Sequence, residues 1–281
     1  MTGRTILAAL LLVVASFPAH ADEIELNGHF MQGGLVTGKA PPGSRVTFEG
    51  REVRVTTEGV FLIGFGREAG PEARLEVQLP DGRLEQRVLK VAARQYDIQR
   101  IDGLPERQVS PPPEDLVRIR EDQTMIAKVR ARDTSEPYFL SGFIWPAIGP
   151  ISGVYGSQRI LNGSPRQPHY GVDVAAPEGT PIVAAAPGIV SLAHPDMFFT
   201  GRTVAIDHGH GLTSVYSHLA TITVADGEQV AQGQVIGTLG GTGRVTAPHL
   251  DWRVNLFDIR LDPALLVPPM PANGRSGAAV R

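Results

Sequence analysis

His169-Tyr170-Gly171-Val172-Asp173 places an imidazole and a carboxylate four residues apart, inside a Gly/Pro-rich segment with β-type neighbours. Two later stretches complement it, Ser217-His218-Leu219 and Pro248-His249-Leu250-Asp251-Trp252. His249 and Asp251 are two residues apart, so on a strand both side chains leave the same face. Five side chains able to bind a metal or move a proton thus lie on three segments, near the density that a hydrolytic metal site needs.

The sequence around these segments reads as antiparallel β structure. Short apolar runs punctuated by Gly and Pro recur at Ile182 to Ala186, Ile189 to Leu192, Thr203 to Asp207, Thr213 to Tyr216, Val235 to Leu239 and Leu250 to Val254. Gly227, Val230, Gly233 and Ile236-Gly237 read as a tight hairpin of the kind seen in lipoyl and biotin carrier domains, but no Lys sits at its tip to carry a cofactor. Further upstream, Val46, Phe48, Val53 and Val55 alternate with polar residues around a Glu49-Gly50 turn. Gly59 to Phe65 reads as a buried strand; Leu75, Val77 and Leu79 alternate before a Pro80-Asp81-Gly82 turn, and Leu84, Val88 and Val91 follow it. Such regular turns predict a small sandwich-like module without a catalytic constellation. Between the two β regions, Pro111-Pro112-Pro113, with Ser110 as an N-cap, leads into a helix over Glu114 to Arg132. Leu116, Ile119, Ile126 and Val129 lie near one face of it, and its dense charges form a solvated face. The resulting division is signal peptide 1–21, N-terminal β domain 22–100, linker with helix 101–140, catalytic-type β domain 141–270 and tail 271–281.

A chain of 281 residues with 42% hydrophobic and 20% charged residues supports packed cores in one or two domains. A net charge of -3 gives no basis for nucleic-acid partners or for electrostatic membrane binding. The N-terminus carries Arg4, an apolar run from Ile6 to Phe17, and Ala19-His20-Ala21 as a small-x-small cleavage site before Asp22. The run is shorter than the ~20 residues a span needs, so the expectation is an exported, periplasmic protein cut after Ala21 with no membrane span thereafter. There is no Cys, hence no lipid-anchor cysteine and no disulfide framework.

Zinc takes about four ligands and, in catalytic sites, leaves one position to water. Without Cys the donors must be N and O atoms: His169 and Asp173 supply two, and the His249/Asp251 strand pair the third. His218 and His249 suit the orienting of a water and the holding of an oxyanion. In combination these segments resemble the M23 peptidase family, the lysostaphin or LytM-type zinc endopeptidases. Pro177-Glu178-Gly179-Thr180-Pro181-Ile182, Ala186-Pro187-Gly188, Asp207-His208-Gly209 and Gly227-Glu228-Gln229-Val230 with Gly233 agree, over roughly residues 141 to 268. The resemblance implies a small antiparallel β fold holding one Zn2+ and cleaving peptide crosslinks of bacterial peptidoglycan. It implies His169 and Asp173 as ligands, and His218 and His249 as catalytic histidines.

One position departs from that pattern. The family has His-x-His, its second His binding zinc, and this chain has Asp251 there. A carboxylate can ligate zinc, but two carboxylates and one imidazole would formally neutralise the ion and weaken it as a Lewis acid. The alternative is a catalytically degenerate protein that binds peptidoglycan or activates a cell-wall amidase, with divisome proteins as partners. Tyr170, Arg159 and Arg202 are the substrate-binding candidates, the arginines for substrate carboxylates. Phe198 and Phe199 line a cleft or pack in the core. His208 and His210 read as loop-structure or cleft-lining residues, and His194, before Pro195, as a surface loop residue.

Overall fold

The computed structural model describes residues 24–102, 113–245 and 247–271. The signal peptide, the Ser110 cap and residues 272–281 of the tail lie outside the described residues. The upstream alternation becomes β1 (Glu25–Gly28), β2 (Leu35–Lys39), β3 (Arg45–Phe48), β4 (Arg51–Val53), β5 (Val60–Gly64), β6 (Glu72–Gln78) and β7 (Leu84–Lys90). They form two antiparallel sheets, β1-β2-β5 and β4-β3-β6-β7, which share a core of Val36, Val46, Phe61, Ile63, Leu75 and Val77. Phe48 pairs with Arg51, so Glu49-Gly50 is a two-residue turn. Both have positive φ (47° and 77°), as the right-handed strand twist favours.

After β8 (Ile98–Ile101) comes the helix, α1 (Leu116–Arg130), entered through a 3-10 turn at Pro113–Asp115. Ile119 and Val129 are buried, and Met125 and Ile126 join Val129 against Leu192, Met197, Ala205 and Val215. Leu116 sits in the first turn and is exposed, off the packed stripe. The charged face is only partly solvated. Arg118 pairs with Asp196 at 2.8 Å, and the Asp122 carboxylate accepts the Phe198 N–H at 2.7 Å, fastening the helix to the neighbouring strand.

The remainder is built from β9 (Ile151–Gly153), β10 (Gln158–Leu161), β11 (Ser164–Pro165), β12 (Val172–Val174), β13 (Pro181–Val183), β14 (Gly188–Met197) and β15 (Gly201–Asp207). After them come β16 (Leu212–Ile222), β17 (Gln229–Val230), β18 (Val235–Leu239), β19 (Leu250–Leu256) and β20 (Ile259–Leu261). The main sheet runs β17-β14-β15-β16-β19-β12-β9, with β18 pairing β13 and β16, and β20 pairing β19. Every pair in this sheet is antiparallel. A small separate sheet joins β8 in parallel to β10, which carries β11. The fold is therefore mainly β, with one α-helix among the described residues.

Two local expectations are corrected, those for the hairpin and for His194, and the phase of β7 becomes defined. The residues around Gly227 to Gly237 do not form a self-paired hairpin: β17 pairs with β14, and β18 with β13 and β16. Short strands satisfy their backbone wherever an edge is offered, and here two different strands offer one. In β7 the buried positions are Leu89 and, just beyond, Val91, while Leu84 and Val88 are exposed, because Leu89 stands opposite buried Ala73. His194 lies within β14, not in a loop. The register shift between His194 and Met197 absorbs Pro195 as a bulge.

His208 and His210 are also buried, and both are bonded into the surrounding loops and strands, as expected of loop-structure residues. The His208 Nδ1–H donates to the Pro187 carbonyl (2.6 Å), and Nε2 meets Ser214 Oγ (2.7 Å), which in turn meets the Tyr216 hydroxyl (2.9 Å). Tyr216 accepts the Ala185 N–H at 2.9 Å, so one network ties β16 to residues 185–187. His210 donates from Nε2 to the Ser135 carbonyl and meets the Phe139 ring edge-on. Burial pushes the His208 pKa down to about 4 from an ordinary 6.5. The unfolded chain then binds the proton that the folded chain refuses, so this group's contribution is complete above pH ~6.5 and is lost as pH falls towards ~4, by on the order of 3 kcal/mol. The melting temperature should fall across that window. His208→Gln should flatten the fall while lowering the melting temperature at pH 7.5; an unchanged slope would assign the titration elsewhere.

Candidate metal centre

Antiparallel register brings four residues into one row on one face of the sheet. Gly153 of β9 pairs with Asp173 of β12, Asp173 with Asp251 of β19, and Asp251 with Ser217 of β16. Two glycines make room for this row. A Cβ on Gly153 would lie 2.2 Å from Asp173 Oδ2. A Cβ on Gly171 would lie 2.7 Å from Asp251 Oδ1 and 2.6 Å from Arg253 Cγ. The opposite face of β19 carries Leu250, Trp252 and Val254, all buried in the main core, which fixes which face the carboxylates take.

His169 enters from the loop before β12. Its Nε2 lies 3.1 Å from Asp173 Oδ1, and both atoms are buried without a hydrogen-bond partner. Donor atoms of His169, Asp173 and Asp251 all lie within 4.8 Å of one another. Buried polar atoms are nearly always satisfied. Two that face each other unbonded, beside a third donor, fit a cation shared among them, and one nitrogen with two carboxylates suits zinc.

The two further histidines flank this group. His218 follows Ser217 where Thr203 alone stands opposite both, a bulge between the Arg202–Leu219 and Val204–Tyr216 pairs. Its φ of 66° is unusual for a non-glycine residue and marks the bulge that re-aims the ring. The His218 Nδ1–H donates to the Thr242 carbonyl at 2.8 Å, and the His249 Nδ1–H to the Ala247 carbonyl at 2.8 Å. A carbonyl only accepts, so both neutral rings keep the lone pair on Nε2. The ring centroids are 4.9 Å apart, and His249 Nε2 is 3.9 Å from Asp173 Oδ1. Burial pushes the His218 pKa below its ordinary value, against an opposing effect of the Thr242 carbonyl.

Asp251 has a partner that the spacing argument missed. Arg253, two residues on and therefore on the same face, donates from Nε to Oδ1 (2.9 Å) and Oδ2 (3.0 Å), and from Nη2 to Oδ2 (2.5 Å). Burial alone would raise the Asp251 pKa; the Arg253 charge and hydrogen bonds override it and hold the carboxyl at about 2. Arg253 adds one positive charge beside the two carboxylates, a charge that the count of ligands alone leaves out. An acid and a base at i, i+2 on a strand was the signal in the sequence.

The remaining candidates divide. Tyr170 packs beside Tyr155 (centroids 6.3 Å apart) under the Arg260 guanidinium. Arg159 is an exposed residue of β10, in the small sheet, outside the cluster of donors. Arg202 stands beside the His218 bulge: its N–H donates to Thr242 Oγ1 at 2.9 Å, the residue whose carbonyl holds His218. Phe198 and Phe199 form an edge-to-face pair at 4.8 Å, with Arg244 over Phe199. Thr242 is a second residue that sequence reasoning missed.

The sequence profile of peptidase family M23 matches residues 167–263, which contain every residue of this cluster. A solved structure of an M23 peptidase from Pseudomonas aeruginosa is 32% identical with a TM-score of 0.63, covering 84% of this chain and 94% of that one. The chain belongs to the M23 peptidase family. Curated relatives of this M23 chain include the peptidoglycan DD-endopeptidase ShyC of Vibrio cholerae, 46% identical over 95 residues, which are 34% of this chain and 22% of that protein. The cell division protein DipM of Caulobacter vibrioides is 31% identical over 152 residues, 51% of this chain and 24% of that protein. The M23 chain thus spans about a quarter of the length of these curated relatives.

The close approach at Gly171 yields a direct test. Gly171→Ala should drive the new methyl into the Asp251–Arg253 pair and the Trp252 carbonyl, lowering stability by roughly 1–3 kcal/mol, the scale of overpacking. Unchanged melting would contradict this packing.

Proposed function

We propose that this M23 chain is an exported, periplasmic zinc metalloendopeptidase that hydrolyses peptide crosslinks of bacterial peptidoglycan. The observation that carries the reading is the unbonded facing of His169 Nε2 and Asp173 Oδ1 beside Asp251, flanked by two histidines that keep Nε2 free. The relative named a peptidoglycan DD-endopeptidase supports the substrate class. Export rests on the 1–21 signal pattern; no helix among the described residues is long and apolar enough to cross a membrane. In this reading residues 22–100 form a spacer or binding module, 101–140 a linker and 141–270 the catalytic domain.

His169, Asp173 and Asp251 would hold the metal. Zinc, when bound, supplies Lewis acidity and lowers the pKa of a coordinated water towards ~7. The neutral His218 ring, fixed by the Thr242 carbonyl, takes a proton at Nε2 and returns it to the leaving amine. His249, placed with its Nε2 3.9 Å from Asp173 Oδ1, donates from Nε2 to the developing oxyanion when that ring carries a second proton. Tyr170 and Arg202 border the residues that do this work and would contact substrate; Arg159 is the most peripheral of the three proposed contacts.

His169→Ala and Asp173→Ala should each abolish zinc binding, and full retention of metal by either would remove it from the ligand set. His249→Ala should keep zinc while losing ~10²–10³ in rate, the cost of one oxyanion donor. Because the base must be neutral and burial holds His218 below 6.5, activity should persist on acidification past pH ~6.5 and fall only below it. An acidic limb above pH 7 would exclude His218 as the titrating base.

A second reading, an activator of a separate cell-wall amidase, has support from the relative named a cell division protein and from the Asp at position 251. The purified chain incubated with isolated peptidoglycan separates the two. An endopeptidase releases soluble muropeptides and stops when a chelator is added. An activator co-sediments with the polymer, releases nothing alone, ignores the chelator and raises the amidase's turnover.

A further inference from the structure

We infer that Arg253 is the positioning residue of the metal centre, fixing the Asp251 carboxylate and cancelling its charge so that a carboxylate serves where the M23 pattern has an imidazole. The inference rests on the reading of His169, Asp173 and Asp251 as ligands.

Asp251 is 3% exposed, and a buried carboxylate is costly without a charged, hydrogen-bonded partner. Arg253 provides it through both Nε and Nη2, which fixes the orientation of the carboxylate as well as its charge. A carboxylate has about four lone-pair sites, so the guanidinium leaves a donor for a cation. Gly171, just before the neighbouring strand β12, is the accommodating feature, because any larger residue would meet Arg253 Cγ and Asp251 Oδ1 together.

Charge counting gives the pair its meaning. One imidazole and two carboxylates carry -2; with Arg253 the set carries -1, as would two imidazoles and one carboxylate. Aspartate at 251 and arginine at 253 are then a coupled choice: either one alone puts the wrong charge beside a divalent cation. At an effective dielectric of ~20, two unit charges at ~6 Å interact strongly enough to change an affinity on the order of a hundredfold, and solvent at the half-exposed Arg253 reduces this.

The test is a double-mutant cycle on zinc affinity of the full chain, read by competition with a chromogenic chelator, with circular dichroism as the check on folding. The four proteins are wild type, Asp251→His, Arg253→Gln and the double variant. Asp251→His should weaken zinc binding at least tenfold more when Arg253 is present than when Arg253→Gln accompanies it, because the histidine leaves the arginine charge unpaired. If Arg253→Gln fails to fold, Arg253→Met completes the same cycle while keeping the packed stem. Equal effects of Asp251→His in both backgrounds overturn the inference, since a merely structural ion pair gives no such dependence on the metal. Wild-type zinc affinity in Asp251→Ala overturns the ligand reading beneath it instead, so the two failures are distinct.

Discussion

Two carboxylates stand directly opposite each other on neighbouring strands, Asp173 on β12 and Asp251 on β19. Like charges at paired positions destabilise a sheet by up to ~1 kcal/mol even where water screens them, and Asp251 is buried. The surrounding structure is arranged to keep them there. Arg253 takes up the charge of one, and His169 is brought against the other. Gly153 and Gly171, which carry no side chain, leave the room in which the row closes. None of these features makes sense as hydrophobic packing, whereas the reverse face of β19, with Trp252 between Leu250 and Val254, is ordinary core. A strand that is apolar on one face and densely ionisable on the other is held in register by its core side. Any slip by one residue would bury the carboxylates in that core.

The second constraint is the bulge at Ser217-His218. In a regular strand successive side chains point to opposite faces, so Ser217 and His218 could not both belong to the site. Two residues opposite Thr203, with His218 at positive φ, break that alternation. The strained backbone is held from outside: the His218 N–H bonds to the Thr200 carbonyl, its ring to Thr242, and Thr242 Oγ1 to the Leu219 carbonyl. Gly201 lets Thr242 come this close, since a Cβ there would lie 2.3 Å from Thr242 Oγ1. Backbone strain maintained by so many bonds is typical of functional positions.

Legibility followed the range of the interaction. The Glu49-Gly50 hairpin, the β5 strand and the strand that carries Asp251 were readable, because alternation and turn chemistry are local; the three-residue β12 that carries Asp173 is too short to show alternation. The cluster of His169, Asp173, Asp251, His218 and His249 was readable because residue types with few other uses recur on strand-compatible spacings. Strand partners were not readable. β17 and β18 find β14, β13 and β16 because those edges are offered in space, which no local pattern states. The phase of β7, with Leu89 buried and Leu84 and Val88 exposed, is set by its pairing with β6. Arg253 went unremarked because one arginine on a strand has many bland uses; its i, i+2 spacing from Asp251 is a weak signal that the distances make specific.

The N-terminal sandwich bears on the site through β19 and through His169. β19 carries Asp251 at its start, while its far end meets the N-terminal strands: Leu62 of β5 belongs to the main core, and a Cβ on Gly64 would lie 3.0 Å from Leu261 and 3.3 Å from Leu256. Arg67, buried, donates from Nε to the Gly156 carbonyl at 2.9 Å, and the Gly156 N–H donates to the His169 carbonyl at 2.7 Å. Arg94 pairs with buried Asp262 just after β20, and the Tyr155 hydroxyl donates to the Arg260 carbonyl within it. A displacement of the sandwich would therefore pull on the backbone of His169 and on the strand that holds Asp251. The donor atoms of His169, Asp173 and Asp251, which lie within 4.8 Å of one another, are fixed from two sides, and one of those sides is a module that contributes none of these three residues.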